Sequence, residues 1–142
     1  MSNRDGVADR LAIIDGLRRY AYAIDDRDFA AVRQVFTPDA VLDYTSTGGP
    51  RGPRDEVVDW IAAGLALLGP SQHFVTNELI TLAGQQATSR CYLLNPLLSP
   101  EAPAENVLLL GGEYRDRWRR TPAGWRITAR EHVVTWTRPL PR

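Results

Sequence analysis

The stretch Gly112-Glu113-Tyr114-Arg115-Asp116-Arg117-Trp118-Arg119-Arg120-Thr121-Pro122-Ala123-Gly124-Trp125-Arg126-Ile127 decides the architecture. Up to the Thr121-Pro122-Ala123-Gly124 turn, Leu108, Leu110, Tyr114 and Trp118 share one parity, while Arg115, Arg117 and Arg119 share the other. Successive side chains of a strand point to opposite faces, so the pattern predicts a sheet with one buried and one wet face. Beyond the turn, Trp125, Ile127, Ala129 and Val133 alternate with Arg126, Thr128, Arg130 and His132. The same rule turns Arg130 and His132 outward. Two alternating runs joined by a Pro/Gly turn predict an antiparallel hairpin, over about 106–120 and 124–137.

Moving back along the chain, two more β-rich stretches lie near 72–82 and 86–95, separated by Gly84 and followed by the Ser99-Pro100-Glu101-Ala102-Pro103 loop. The N-terminal half has helical periodicity. Leu11, Ile14, Leu17, Ala21 and Ile24 recur on one face, predicting an amphipathic helix over about 8–25. A short second helix runs from Asp28, whose side chain can cap it, through Phe29, Val32 and Phe36 to the Thr37-Pro38-Asp39 stop. The run Val41-Leu42-Asp43-Tyr44-Thr45-Ser46 reads as a strand. After a Gly48-to-Gly52 turn, Pro53 begins a third helix with Val57, Ile61, Leu65 and Leu68 on one face, ended by Gly69-Pro70. Two helices, a strand, a helix and a meander of long strands predict an α+β fold. Its most economical form is a cone-shaped, curved antiparallel (mixed) β-sheet wrapped around the three helices.

With 142 residues the chain fits one domain, 1–142, with a core over about 8–137. Seventeen Lys+Arg against 17 Asp+Glu give zero net charge, hence no global field for nucleic acid or anionic membrane. A small or uncharged partner follows. The arginine run with Arg126 and Arg130 reads as a solvated outer sheet face or a subunit contact. The single cysteine, Cys91, excludes an internal disulfide and reads as a small buried apolar residue. Two well-separated histidines offer no zinc spacing, so no metal is expected and cofactor-independent chemistry is favoured. The polar N-terminal residues and the lack of a long apolar segment predict a cytoplasmic protein.

The scarce proton-transfer groups fall next to apolar residues: Asp25 closes the first helix, Tyr44 lies in the first strand, and His73 opens Gln72-His73-Phe74. Imidazole, with a reference pKa of about 6.5, can serve as base and acid near neutrality if a carboxylate fixes its tautomer. Asp25 is the leading candidate for that carboxylate. Tyr44 and Tyr114 are phenols that tolerate apolar walls and can hold a carbonyl oxygen.

Arg19-Tyr20, Asp25-Asp26-Arg27-Asp28-Phe29, Val35-Phe36-Thr37-Pro38-Asp39-Ala40, Gly112-Glu113-Tyr114 and Gly124-Trp125-Arg126-Ile127 resemble the SnoaL-like branch of the nuclear transport factor 2-like superfamily. Within it, the acid at Asp25, Asp43-Tyr44-Thr45-Ser46 and Gln72-His73-Phe74 are similar to the scytalone dehydratase pattern. That resemblance implies that Asp25 orients His73, that His73 moves a substrate proton, and that Tyr44 polarises a carbonyl through water. Ile24 replaces a family tyrosine, Asn95 a second histidine and Tyr114 a late asparagine. Steroid-isomerase relatives place an oxyanion donor at Tyr20. The candidate catalytic residues are therefore His73, Asp25 and Tyr44, and the candidate substrate-binding residues are Tyr20, Asn95 and Tyr114. The resemblance implies a homodimer and a dehydratase- or cyclase-type lyase acting on a small hydrophobic, carbonyl-containing, polyketide-like metabolite. Isomerisation by the same proton shuttle and a non-catalytic binding module are the alternatives.

Overall fold

The computed structural model describes residues 3–98 and 107–140. Helix α1 spans Asn3–Asp25, α2 Phe29–Val35 and α3 Arg54–Leu65; the strands are β1 Phe36–Asp43, β2 Arg51–Pro53, β3 Phe74–Ala83, β4 Gln86–Leu98, β5 Val107–Thr121 and β6 Gly124–Leu140. The strands form one six-stranded sheet in the order β2-β1-β6-β5-β4-β3. β1 runs parallel to β6, and every other neighbouring pair is antiparallel. The result is the α+β fold expected, a curved mixed sheet that covers the helices without closing. Its core joins Ile13, Leu17 and Ile24 of α1 and Val57 and Val58 of α3 to Leu93, Trp118 and Ile127 of the sheet. At Gly16 an added Cβ would lie 3.0 Å from the Trp118 indole, so the missing side chain lets α1 sit directly on the sheet.

Local chemistry explains most of the element ends. The Asp28 carboxylate accepts from the Ala31 N–H at 3.0 Å and starts α2. β1 begins at Phe36, and Pro38 falls in the irregular stretch where its register with β6 slips, between Phe36 and Val41. The strand predicted to reach Ser46 ends at Asp43, because Asp43 Oδ1 takes both the Thr45 N–H at 3.0 Å and the Thr45 hydroxyl at 2.6 Å. This Asx turn diverts the chain into a 3₁₀ turn, Thr45–Thr47, and leaves Tyr44 buried at its start. The predicted loop at 99–103 lies outside the described residues.

The outward placement of Arg130 and His132 is overturned. Along β5 the partner of Arg117 is Ala129 but that of Trp118 is Ile127, so Thr128 is an extra residue. Such a bulge reverses the parity of everything beyond it. Trp125 and Ile127 are buried before it; after it, Arg130 and His132 are the buried residues. The outer face keeps Arg115, Arg117 and Arg119 exposed, as the alternation in β5 predicts.

Candidate functional site

Asp25 ends α1 and His73 precedes β3, and the fold brings the two side chains together. Asp25 Oδ1 and His73 Nδ1 are 2.6 Å apart. The same carboxylate accepts from the His73 backbone N–H at 2.7 Å, through Oδ2, and from the Ser71 hydroxyl at 2.9 Å. Burial pushes the Asp25 carboxyl up, but the bonds from His73 and Ser71 outweigh it and hold the group below its ordinary value. An ionised Asp25 accepts a hydrogen bond from Nδ1–H, which leaves the lone pair on Nε2. The Asn95 amide nitrogen lies 3.2 Å from that Nε2 and completes the chain Asp25–His73–Asn95.

Arg27 holds this arrangement from behind. Its backbone adopts φ 58°, and its guanidinium donates to Ser71 Oγ, Gly69 O and Ile24 O, each at 2.9 Å. The segment before β3 is thereby pinned to the end of α1. The His73 side chain is only 7% exposed and Asp25 20%. Both line a cleft of about 290 Å³ bordered by Arg18, Tyr22, Phe74 and Thr76. Wider grooves of about 610 and 740 Å³ lie against the α1–α2 pair and over the outer sheet face, and neither is lined by a histidine.

A second group of polar side chains lies deeper, on the inner face of the sheet. The Tyr20 and Tyr44 hydroxyls are 2.7 Å apart. The Tyr20 and Tyr114 rings meet edge to face at 5.4 Å. Beneath them the Arg130 guanidinium stacks 4.2 Å from the Tyr20 centroid and 3.9 Å from that of Tyr114. Arg130 also forks onto Asp116 through Nε and Nη2, both at 2.7 Å, and both side chains are 0% exposed. Burial, outweighing the pull of Arg130, leaves the Asp116 carboxyl above its ordinary value. Burial drives all three phenols well up, so they remain neutral donors, while the Arg130 charge acts to acidify them.

His132 packs into this group, its ring 5.2 Å from that of Tyr44 and 5.0 Å from that of Tyr114. Thus the sequence-derived candidates fall into two clusters: Asp25, His73 and Asn95 in one, Tyr20, Tyr44 and Tyr114 in the other. They share no hydrogen bond among the described residues. Sequence reasoning missed Asp116, Arg130 and His132. A signal for the first was present, because Asp116 shares the parity of Tyr114 and Trp118, and a carboxylate on a buried face demands a buried cation. Cys91 is buried as expected, and burial pushes its thiol up to about 12. Among the described residues no three His, Cys, Asp or Glu side chains are grouped to hold a metal ion.

The sequence profile described as the SnoaL-like domain matches residues 5–131. An uncharacterized protein of Mycobacterium tuberculosis is 36% identical over 124 residues, which span 87% of this chain and 84% of that protein. A solved structure from Novosphingobium aromaticivorans, described as a candidate aromatic ring hydroxylase, is 28% identical with TM-score 0.84, covering 94% of each chain. A second structure from the same organism, described as a candidate scytalone dehydratase, superposes with TM-score 0.86 at 18% identity over 96% of this chain and 91% of its own. The hexachlorocyclohexane dehydrochlorinase LinA type 2 gives TM-score 0.84 at 18% identity over 98% and 93%. At such low identity the last two likenesses speak for the fold alone.

Proposed function

The chain belongs to the SnoaL-like domain family, and from that premise we propose that it is an acid–base lyase of the dehydratase or cyclase type, working without a cofactor on a small hydrophobic carbonyl compound, polyketide-like in character. The observation that carries this reading is the 2.6 Å contact between Asp25 and His73. A carboxylate on Nδ1 stabilises the imidazolium that forms when Nε2 takes a proton, and the bonds from Ser71 and the His73 backbone keep that carboxylate from turning away.

In the proposed reaction His73 Nε2 removes a proton from the carbon next to the substrate carbonyl. Asn95 yields its contact with Nε2 as the substrate enters. The released electron pair forms the enolate, whose oxygen is held by the Tyr44 hydroxyl, itself polarised by Tyr20 and by the cation beneath the phenol rings. The enolate then collapses to the alkene, the β carbon–oxygen bond breaks, and the imidazolium returns its proton to the departing hydroxide as water. Tyr20, Asn95 and Tyr114 line the substrate in this reading. The paired Tyr20 and Tyr44 hydroxyls also suit a reaction that stops at the dienolate and returns the proton elsewhere, so isomerisation is the second reading.

A panel of β-hydroxy ketones, followed by mass spectrometry, tests the proposal. Loss of one water marks dehydration and an unchanged mass marks isomerisation. His73→Ala and Asp25→Asn should each reduce turnover by about 10²–10⁴-fold, the usual worth of a positioned general base, while circular dichroism shows the fold intact. Full activity in both variants would refute the assignment, and a change in ligand affinity alone would mark a binding module.

A further inference from the structure

His132 is 6% exposed, yet neither ring nitrogen has a hydrogen-bond partner in the protein. A buried polar group left unpaired forfeits the hydrogen bonds it made to water, with nothing in return. A phenylalanine would fill the same place between Tyr44 and Tyr114 without that cost. The other buried side-chain atoms lacking partners, among the described residues, are Asn95 Oδ1 and Arg130 Nη1. Asn95 touches His73, and Arg130 stacks on Tyr114, which pairs with His132 across the β5–β6 ladder. All the unsatisfied atoms therefore belong to the two clusters described above.

From this convergence we propose that His132 is a ligand-binding residue, donating a ring N–H to the carbonyl or phenolic oxygen of an apolar ligand seated against Tyr44 and Tyr114. The inference rests on the proposed function for the identity of the ligand as substrate, but not for its existence. The ring has the right protonation for the task. Burial, then the charge of Arg130, then that of His73 lower its pKa to about 3, so near neutrality it carries one N–H and one lone pair. Tyr114, against which the His132 ring packs, lies opposite Cys91 of β4, and Asn95, which meets His73 Nε2, follows on the same buried face of that strand. The donor His132 and the proton acceptor His73 would then bracket the ligand from β6 and from the segment before β3. Asn95 Oδ1 can accept from a ligand hydroxyl.

Titration of the intact protein with 4-methylphenol, and with toluene as the analogue lacking oxygen, tests this. The expected result is a shift of the His132 ring ¹⁵N resonances by 4-methylphenol, with at least tenfold weaker 4-methylphenol binding by His132→Phe. Toluene should bind both proteins equally, and His132→Gln, which keeps an N–H donor, should recover part of the loss. Unmoved His132 resonances, or equal 4-methylphenol affinity in the wild-type protein and His132→Phe, would overturn the proposal. Repeating the titration with His73→Ala separates the two ideas. Oxygen-dependent binding in a protein that turns over none of the β-hydroxy ketones leaves this inference standing and sinks the lyase. His73-dependent turnover with binding indifferent to His132 does the reverse.

Discussion

His132 couples the stability of the protein to pH in a direction opposite to that of a histidine paired with an acid. Its folded pKa of about 3 lies below the ordinary value of 6.5, so on acidification the unfolded chain takes up a proton that the native ring refuses. Stability is therefore complete above pH 6.5 and falls as pH drops from there toward 3, by up to about 1.4 kcal/mol per unit. Urea denaturation at a series of pH values should show this slope in the wild-type protein and a flatter one in His132→Phe. Asp25 acts in a different window: its carboxyl is held below its ordinary value of 3.8, so its contribution is present above that pH and is lost only at stronger acidity. The Asp116–Arg130 pair sets a second expectation. Removing one member strands the other charge in the interior, so Asp116→Ala should destabilise the protein by about 3–5 kcal/mol in the same measurement. Asp116→Leu combined with Arg130→Met, which removes both charges, should cost less than Asp116→Ala alone.

Elements, more than single residues, determine how far the sequence could be read. Helical spacing in α1 and α3 and alternation in β5 are local signals, and the faces they indicate are buried at Leu17, Ala21 and Ile24, at Val57 and Ile61, and at Tyr114 and Trp118; Leu11, Leu68 and Leu108, expected on the same faces, are exposed, and α3 stops at Leu65 rather than at Gly69-Pro70. The Asp28 cap and the Pro53 start of α3 were equally legible, because a cap needs only its own neighbours. The contact of Asp25 with His73 bridges 48 positions and was reached through family resemblance, since no periodicity links a helix end to a strand start. Arg130 and His132 were misplaced because one extra residue, Thr128, inverts β6 relative to its own beginning, and nothing in Thr-Ala-Arg announces it. The connector before β3 yields a further prediction. Arg27→Ala removes the guanidinium bonds to Gly69 and Ser71 and should free His73 from Asp25 without emptying the core. Amide hydrogen exchange across 66–74 should accelerate several-fold, and turnover should fall while global stability changes by no more than about 1 kcal/mol per bond lost.

At the scale of the whole molecule, the outer face of the sheet that carries Arg90, Arg115 and Arg117 also exposes an apolar patch toward one end. Phe74, Tyr92, Leu94 and Trp136 are all exposed, and Phe74 pairs with Leu94 across the β3–β4 ladder. We take this face as the contact of the homodimer that the resemblance implies, since isolated domains rarely expose such a cluster. Sedimentation equilibrium should give a dimer of the 15.9 kDa chain, and Tyr92→Glu with Leu94→Lys should give a monomer. A monomeric wild-type protein at micromolar concentration would contradict it. Among the described residues no helix is long and apolar enough to cross a membrane.

The parallel pairing of β1 with β6 joins Phe36 to Ile127, far apart along the chain. Until the last strand emerges during synthesis, β1 has only the three residues of β2 beside it, and the interior phenols lack the arginine on which they stack. Asp25 and His73 would already be made, yet the sheet would still lack β6, the strand that joins β1 to β5. Topologies with such distant closing contacts fold slowly. A nascent chain stalled short of residue 127 should therefore remain protease-sensitive, and chemical competence should arrive in a single late step, with the final hairpin.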